Sequence, residues 1–181
     1  MEPHVFVVMP FGDKEVQSAT PATDGSPEKK ALGISFNDVY DLLINPALTK
    51  AGCISFRADQ EVSAGDIRTD MYFELVTADV ILADISILNA NVFYELGVRH
   101  GVAQRGVFMI HGGWAKRPFD VAPDRTFDYD GKLFATKKEE RDNAWQARLD
   151  AEAERLGKAL RSAWRLTSRR SEAPSIKSWS D

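Results

Sequence analysis

Cysteine is nearly absent from this chain: Cys53 stands alone in 181 residues. A lone thiol excludes an internal disulfide and a Cys-rich metal site. Flanked by Gly52 and Ile54, it reads as a small core residue. Histidine is almost as scarce. His4, His100 and His111 are scattered, and neither an HExxH helix nor a paired-His spacing occurs. Basic charge is also short. Against 27 Asp and Glu stand 23 Lys and Arg, a formal net charge of −4, so the basic footprint of a nucleic-acid binder is missing and no nucleic-acid partner is expected. A small anionic ligand remains allowed, because backbone amides at a helix start hold phosphate without net positive charge. Long apolar runs are missing too. The apolar start Val5 to Met9 is too short for a signal peptide or a membrane span, so no membrane partner and a cytoplasmic location are expected. The chain has no GxGxxG and no GxxxxGK[ST], which excludes a dinucleotide fingerprint and a P-loop. It has no internal repeats.

What remains is an ordinary globular composition, 44% hydrophobic and 28% charged, long enough for one domain with a real core. His4 to Pro10 is a β-branched run closed by proline, hence a buried first strand of a parallel sheet. Residues 13–30 are polar, with Pro21, Gly25 and Pro27 and no periodicity; they read as a long mobile loop, either a lid or disorder. Ser35 to Ala51 has helical spacing in Phe36, Val39, Tyr40, Leu43 and Leu48, with Pro46 expected to bend or restart the helix and Gly52 to end it. Cys53 to Arg57 is a second strand. Gly65 to Thr77 is a second helix, with Ile67, Met71, Leu75 and Phe73 considered for its inner face. Asp79 to Asp84 is a third strand, Asn91 to Gln104 a third helix, Gly106 to His111 a fourth strand and Arg125 to Tyr129 an edge strand. Lys137 to Leu166 is a long helix. Its stripe Trp145, Leu149, Leu156, Leu160 and Trp164 packs on the parent core or, alternatively, forms a dimer interface.

This alternation predicts a doubly wound α/β fold of the flavodoxin/Rossmann-like kind: a mostly parallel five-stranded sheet flanked by helices, plus a long C-terminal helix. One domain is expected over 1–166, with 167–181 as a polar tail or linker. In such sheets ligands bind beyond the carboxyl ends of the strands near the switch point. Three loops converge there: Pro10-Phe11-Gly12, Arg57 to Asp59, and Asp84 to Asn91. The last carries Asp84, Ser86, Asn89 and Asn91, with Asn91 a natural N-cap. Glu95 lies one turn up the same side, near the helix start. Gly97 and Gly101, one turn apart, suggest close approach of this helix to the sheet. A carboxylate beside such a loop suits attack on an anomeric carbon, or electrostatic stabilisation of an oxocarbenium-like transition state. The residues alone leave another reading open: Glu95 as a solvated side chain favoured by the helix dipole, Asp84 and Asn91 as structural.

The run ADVILADISILNANVFYELGVRHG (Ala78 to Gly101) resembles the strand-loop-helix of the nucleoside 2-deoxyribosyltransferase-like superfamily. That group includes 2′-deoxynucleoside 5′-phosphate N-hydrolases and TIR-like domains. The nearest pattern is the deoxyribohydrolase-like domain of bacterial conflict and signalling proteins, a relative of one in apoptosis signal-regulating kinases. FVVMPFG, INPALTKAG, FRAD and PFDVAPDRTFDY follow in matching order, so the resemblance spans about Val5 to Tyr129. It implies an N-glycosidase with Glu95 as the catalytic carboxylate. Its substrate would be a nucleoside, nucleotide or NAD-like molecule, with no cofactor, in a setting of bacterial signalling or defence. The kinases have an altered residue at the glutamate position, so its retention here favours activity. Six residues earlier the transferases carry Asp and the nucleotide hydrolases Ser; here Asn89 stands in that place, able to bond a hydroxyl or a phosphate but not to act as an acid. An aspartate used on the preceding helix aligns with Met71, which makes the adjacent Asp70 the candidate. Phe11, Gly12 and Asp59 would hold base or ribose, and Asp84, Asn89 and Asn91 sugar or phosphate. Members of the superfamily often complete the site across a dimer, which leaves room for a homodimer. The rival expectation is a non-catalytic nucleotide-sensing module of a larger signalling protein.

Overall fold

The computed structural model of the chain describes residues 2–21, 27–57, 67–103, 106–122 and 124–171. Five strands form one sheet in the order β4-β1-β5-β6-β7, where β1 is His4–Val8, β4 Ile54–Arg57, β5 Val80–Asp84, β6 Val107–His111 and β7 Thr126–Asp128. All neighbours run parallel, with Val5 beside Val80 and Val8 beside Ala83 at the centre. Parallel strands need covered faces, and these β1 and β5 sequences are apolar at nearly every position because both faces are covered. On one face pack α1 (Phe36–Val39), a π turn (Tyr40–Ile44), α2 (Asn45–Ala51) and the last helix, α6 (Asn143–Ser171). On the other pack α3 (Ile67–Thr77) and α4 (Ala90–Val102). A short α5 (Lys132–Ala135) precedes α6. This is the expected doubly wound α/β architecture with a long C-terminal helix. Among the described residues no helix is long and apolar enough to cross a membrane.

The first helical segment shows how one residue sets local structure. Pro46 lacks an N–H and its ring collides with the carbonyl four residues back, at Leu42. The chain widens into the π turn just before it, and Asn45 donates its backbone N–H to the Tyr40 carbonyl instead. Ser35 caps the start by accepting from the Asp38 N–H, and Gly52 closes α2 in the left-handed conformation (φ 72°). Against α2 lies α6, whose Gly157 permits the approach: a Cβ there would sit 2.9 Å from the Ala47 carbonyl oxygen. The stripe Trp145, Leu149, Leu156 and Leu160 is buried in this layer and Trp164 is partly buried against it, so it packs on the parent core.

Several expectations are corrected. Much of the stretch expected as a mobile loop over 13–30 is instead paired: β2 (Asp13–Pro21) and β3 (Pro27–Ser35) form an antiparallel hairpin from Asp13↔Ser35 to Pro21↔Pro27. Its base is anchored by the buried Val16 and Ile34, and the two strands satisfy each other's backbone groups. The long helix begins at Asn143 rather than Lys137, because the Asp142 carboxylate accepts the Trp145 N–H (2.8 Å) and caps it there. It runs on to Ser171, into the expected tail, since it contains no proline and Gly157 is tolerated in its interior. Phe73, considered for the inner face of α3, is 64% exposed. Gly97 and Gly101 do not approach the sheet. Both are exposed with open space around them, while Val92, Leu96 and Arg99 face inward. Arg99 instead ties the two helices, donating to the Leu75 carbonyl at the end of α3 (2.9 Å).

The fold makes an unequal prediction for two large side chains. Leu156→Ala, in the fully buried α2–α6 layer, will lower unfolding free energy in urea by about 2–5 kcal/mol. Phe73→Ala will change it by no more than about 0.5 kcal/mol.

Candidate active site

The sheet order reverses at β1. From its end the chain crosses to the α1 face, while from the end of the neighbouring β5 it crosses to the α4 face. The crevice between these two departures is where such a sheet can admit a ligand. On the β1 side stand Phe11 and Gly12. Gly12 adopts φ 64°, a conformation that disfavours other residues. Its carbonyl accepts the Phe36 N–H (3.0 Å) and its own N–H reaches Asn37 Oδ1 (3.4 Å), which ties the turn to the start of α1. Phe11 is 41% exposed. Beneath it the Arg57 guanidinium, at the end of β4, lies 5.6 Å from the Phe11 ring centre and 4.2 Å from that of Tyr40. The sequence marked Arg57 as the end of a strand and the start of a loop, without a role in the site; a charged residue closing a short strand was the available signal. Asp59 lies outside the described residues.

On the β5 side, the polar residues expected to bind substrate turn out to have different duties. Asp84 is fully buried, with both carboxylate oxygens engaged: Oδ1 accepts the Ser86 N–H (2.8 Å) and Oδ2 the Tyr129 hydroxyl (3.1 Å). It therefore does not face a ligand, a correction to its expected role. Burial pushes its carboxyl up to about 6, against the opposing pull of the bonds from Ser86 and Tyr129. The N-cap of α4 is Asn89 and not Asn91: Asn89 Oδ1 accepts the N–H groups of Asn91 (3.0 Å) and Val92 (3.3 Å). The helix consequently begins at Ala90, which places Glu95 in its second turn, beyond the strongest influence of the dipole. Asn89 is half-buried, and its amide nitrogen is not used by the cap. Asn91 is exposed.

Glu95 sits beside the inward line Val92-Leu96-Arg99 and on the side that carries Tyr94 and Val98. That side meets α3, where the Tyr72 and Tyr94 hydroxyls are 2.5 Å apart. Glu95 is thus on the side of α4 nearest α3, and Asp70 stands in the first turn of α3. Among the described residues nothing hydrogen-bonds or ion-pairs with Glu95. Burial alone pushes its carboxyl up to about 7, and no neighbouring carboxylate contributes, so Asp70 is not an electrostatic partner. A half-buried carboxyl without a partner is unfavourable for folding, and titration near neutrality equips it for work that either protonation state can do.

Two further groups at this edge are structural. His111, at the end of β6, accepts the Gly113 N–H at Nδ1 (3.0 Å), so its Nε2–H donates to the Ala115 carbonyl (2.8 Å). Burial lowers its pKa, consistent with this neutral tautomer. Tyr129 reaches Asp84 from beyond the edge strand, a role hidden within the sequence run PFDVAPDRTFDY. A separate cleft of about 460 Å³ lies between the far end of α4 and the start of β6, lined by His100, Gly106 and Arg125 among others.

No protein-family model matches the chain, and no curated protein matches it. Among solved structures it is similar to the flavodoxin-like domain from Synechococcus sp., at 13% identity and a TM-score of 0.41. That likeness covers 88% of this chain and 99% of that one. The site is accordingly read from its own geometry.

Glu95 can be tested without any substrate. Its folded-state pKa is raised from 4.5 to about 7, so the folded protein binds the proton more tightly than the unfolded chain does. The resulting stability is full below about pH 4.5 and lost as pH rises through about 7. Glu95→Gln will therefore exceed the wild type in unfolding free energy at pH 8, by roughly 1–3 kcal/mol, with the difference closing toward pH 4.5. Equal pH dependence of the two proteins would refute the buried, unpartnered placement.

Proposed function

We propose that this protein is an N-glycosidase that cleaves the base–sugar bond of a nucleoside, nucleotide or NAD-like substrate in the cytoplasm. The single observation that carries the reading is the half-buried carboxyl of Glu95 on α4, which has no partner among the described residues. In its ionised form it attacks C1′ or stabilises the positive charge that develops there as the base departs with the bonding electrons. Water, or a second acceptor, then takes the sugar. Phe11, over the Arg57 guanidinium, offers a flat aromatic surface to a base. The side-chain amide nitrogen of Asn89 is suited to a sugar hydroxyl or a phosphate, beside the amides at the start of α4. The resemblance of Ala78 to Gly101 to the deoxyribosyltransferase-like superfamily supports the same assignment of Glu95.

Among the described residues no second carboxyl pairs with Glu95 to protonate a departing base. This favours a leaving group that needs no acid: nicotinamide is expelled neutral from its cationic glycoside, whereas a neutral purine requires protonation. The same observation lends weight to a second reading, a nucleotide-sensing module that binds without turnover.

Incubation with NAD and with deoxynucleoside monophosphates, followed by chromatography of the base, tests the proposal. The wild type is expected to release base from one of these classes, and Glu95→Gln to release it at least about 100-fold more slowly. Binding seen as a thermal shift, with no product and no effect of Glu95→Gln, would instead establish the sensor. For the working enzyme, kcat/KM will rise with pH through about 7 as Glu95 ionises. A fall over the same range would assign Glu95 the part of an acid.

A further inference from the structure

The buried cluster at the end of β5 is more elaborate than the sheet requires. Asp84, Ser86, Tyr129 and the Gly112 N–H form a continuous chain of bonds across β5, β6 and the segment after β7. The Gly112 N–H donates to Ser86 Oγ (2.6 Å). Ser86 Oγ lies 3.0 Å from the Tyr129 hydroxyl, which itself donates to Asp84 Oδ2. The Ser86 hydroxyl proton is therefore directed to the Tyr129 oxygen. Asp84 Oδ1 takes the Ser86 N–H and closes the loop on itself.

The Tyr129 ring is locked from both sides. It is 4% exposed and meets Trp114 edge-on (5.9 Å) and Phe134 edge-on (6.0 Å). Its backbone N–H is held by the His111 carbonyl (3.0 Å). Gly112 must be glycine here, because a Cβ would lie 2.9 Å from the Tyr129 hydroxyl oxygen and 2.8 Å from the Trp114 ring. The arrangement is thus specified by several residues at once.

Stability alone does not account for a carboxylate in this place. Apolar side chains of similar volume in a covered parallel sheet are often as stable or more so. What the cluster does achieve is a fixed path for the chain leaving β5. The Ile85 N–H still pairs with the Ile110 carbonyl (3.0 Å), Ser86 is held at both its N–H and its hydroxyl, and three residues later Asn89 caps α4. Beyond Ser86 only the partly buried Ile87 packs against the core before the cap, and Leu88 is largely exposed.

We propose that Tyr129 is a positioning residue, acting through Asp84 and Ser86 to hold the Ile85–Asn89 loop and thereby set Asn89 and the α4 turn that bears Glu95. The inference rests on the proposed glycosidase site for its consequence in catalysis, and on hydrogen-bond geometry alone for its consequence in structure. Tyr129→Phe keeps the ring packing and deletes only the hydroxyl. Ser86→Ala removes the same node from the other side, without touching the aromatic cluster, and serves if the first variant folds poorly.

The test is backbone amide exchange by mass spectrometry, with base release measured alongside. In either variant, exchange in peptides covering 85–92 is expected to speed up by at least about tenfold, while peptides of β1 and of α6 keep wild-type protection. In the same variants kcat for base release falls by more than KM rises. Unchanged exchange over 85–92, or an equal loss of protection in every strand, overturns the proposal and leaves Tyr129 as a core residue. If the wild type releases no base but the local exchange signature appears, the positioning role stands and the glycosidase reading falls.

Discussion

The ladder between β1 and β5 governs the molecule. Its four paired positions are buried on both faces of a parallel sheet, so none of their side chains is available for chemistry. Any functional group has to lie past the strand ends. There the two chains part to opposite faces, one toward Gly12 and the hairpin, the other toward Asn89 and α4. The crevice, the cap and the placement of Glu95 all follow from that divergence, and the helices on each side exist to keep the ladder dry.

Polar groups at this edge fall into two energetic kinds. Asp84, Asn89 and His111 have their acceptors occupied by donors close in space, so they serve the fold: a carboxylate beneath a loop, a cap, a neutral imidazole closing a turn. Glu95 bears the desolvation without a bond from any of the described residues. Natural sequences rarely keep such a group where stability is the sole concern, because an unpaired buried carboxyl weakens folding and is easily replaced. That cost is the physical reason to seek chemistry at Glu95 rather than at the more conspicuous Asp84.

The layers and the strand order were legible because they depend on local patterns. HVFVV and VILAD can only be covered strands, the α6 stripe repeats at helical spacing, and Pro46 and Gly52 mark their own turns. The pairing of Asp13–Pro21 with Pro27–Ser35 was not legible: these strands are held by backbone bonds, which leave no mark in polar sequence, and only Val16 and Ile34 hint at an inner side. The glycines of α4 misled for a related reason. Spacing tells which residues share a side of a helix, not which side meets the sheet, and Val92, Leu96 and Arg99 took that place.

Within the candidate site the division is similar. By itself the sequence determined the fold class and the position of the switch point, because each rests on periodicity; Glu95 was singled out by the resemblance of the run Ala78 to Gly101. Only the tertiary structure decided what the neighbouring polar residues do. Asn89 rather than Asn91 became the cap because backbone geometry chose where the helix begins. Asp84 was withdrawn from the crevice by Tyr129, 45 residues away, together with the nearby Ser86 N–H, since a buried carboxylate takes whichever donors the fold brings to it, and the Tyr129 hydroxyl reaches it from beyond β7, two strands across the sheet.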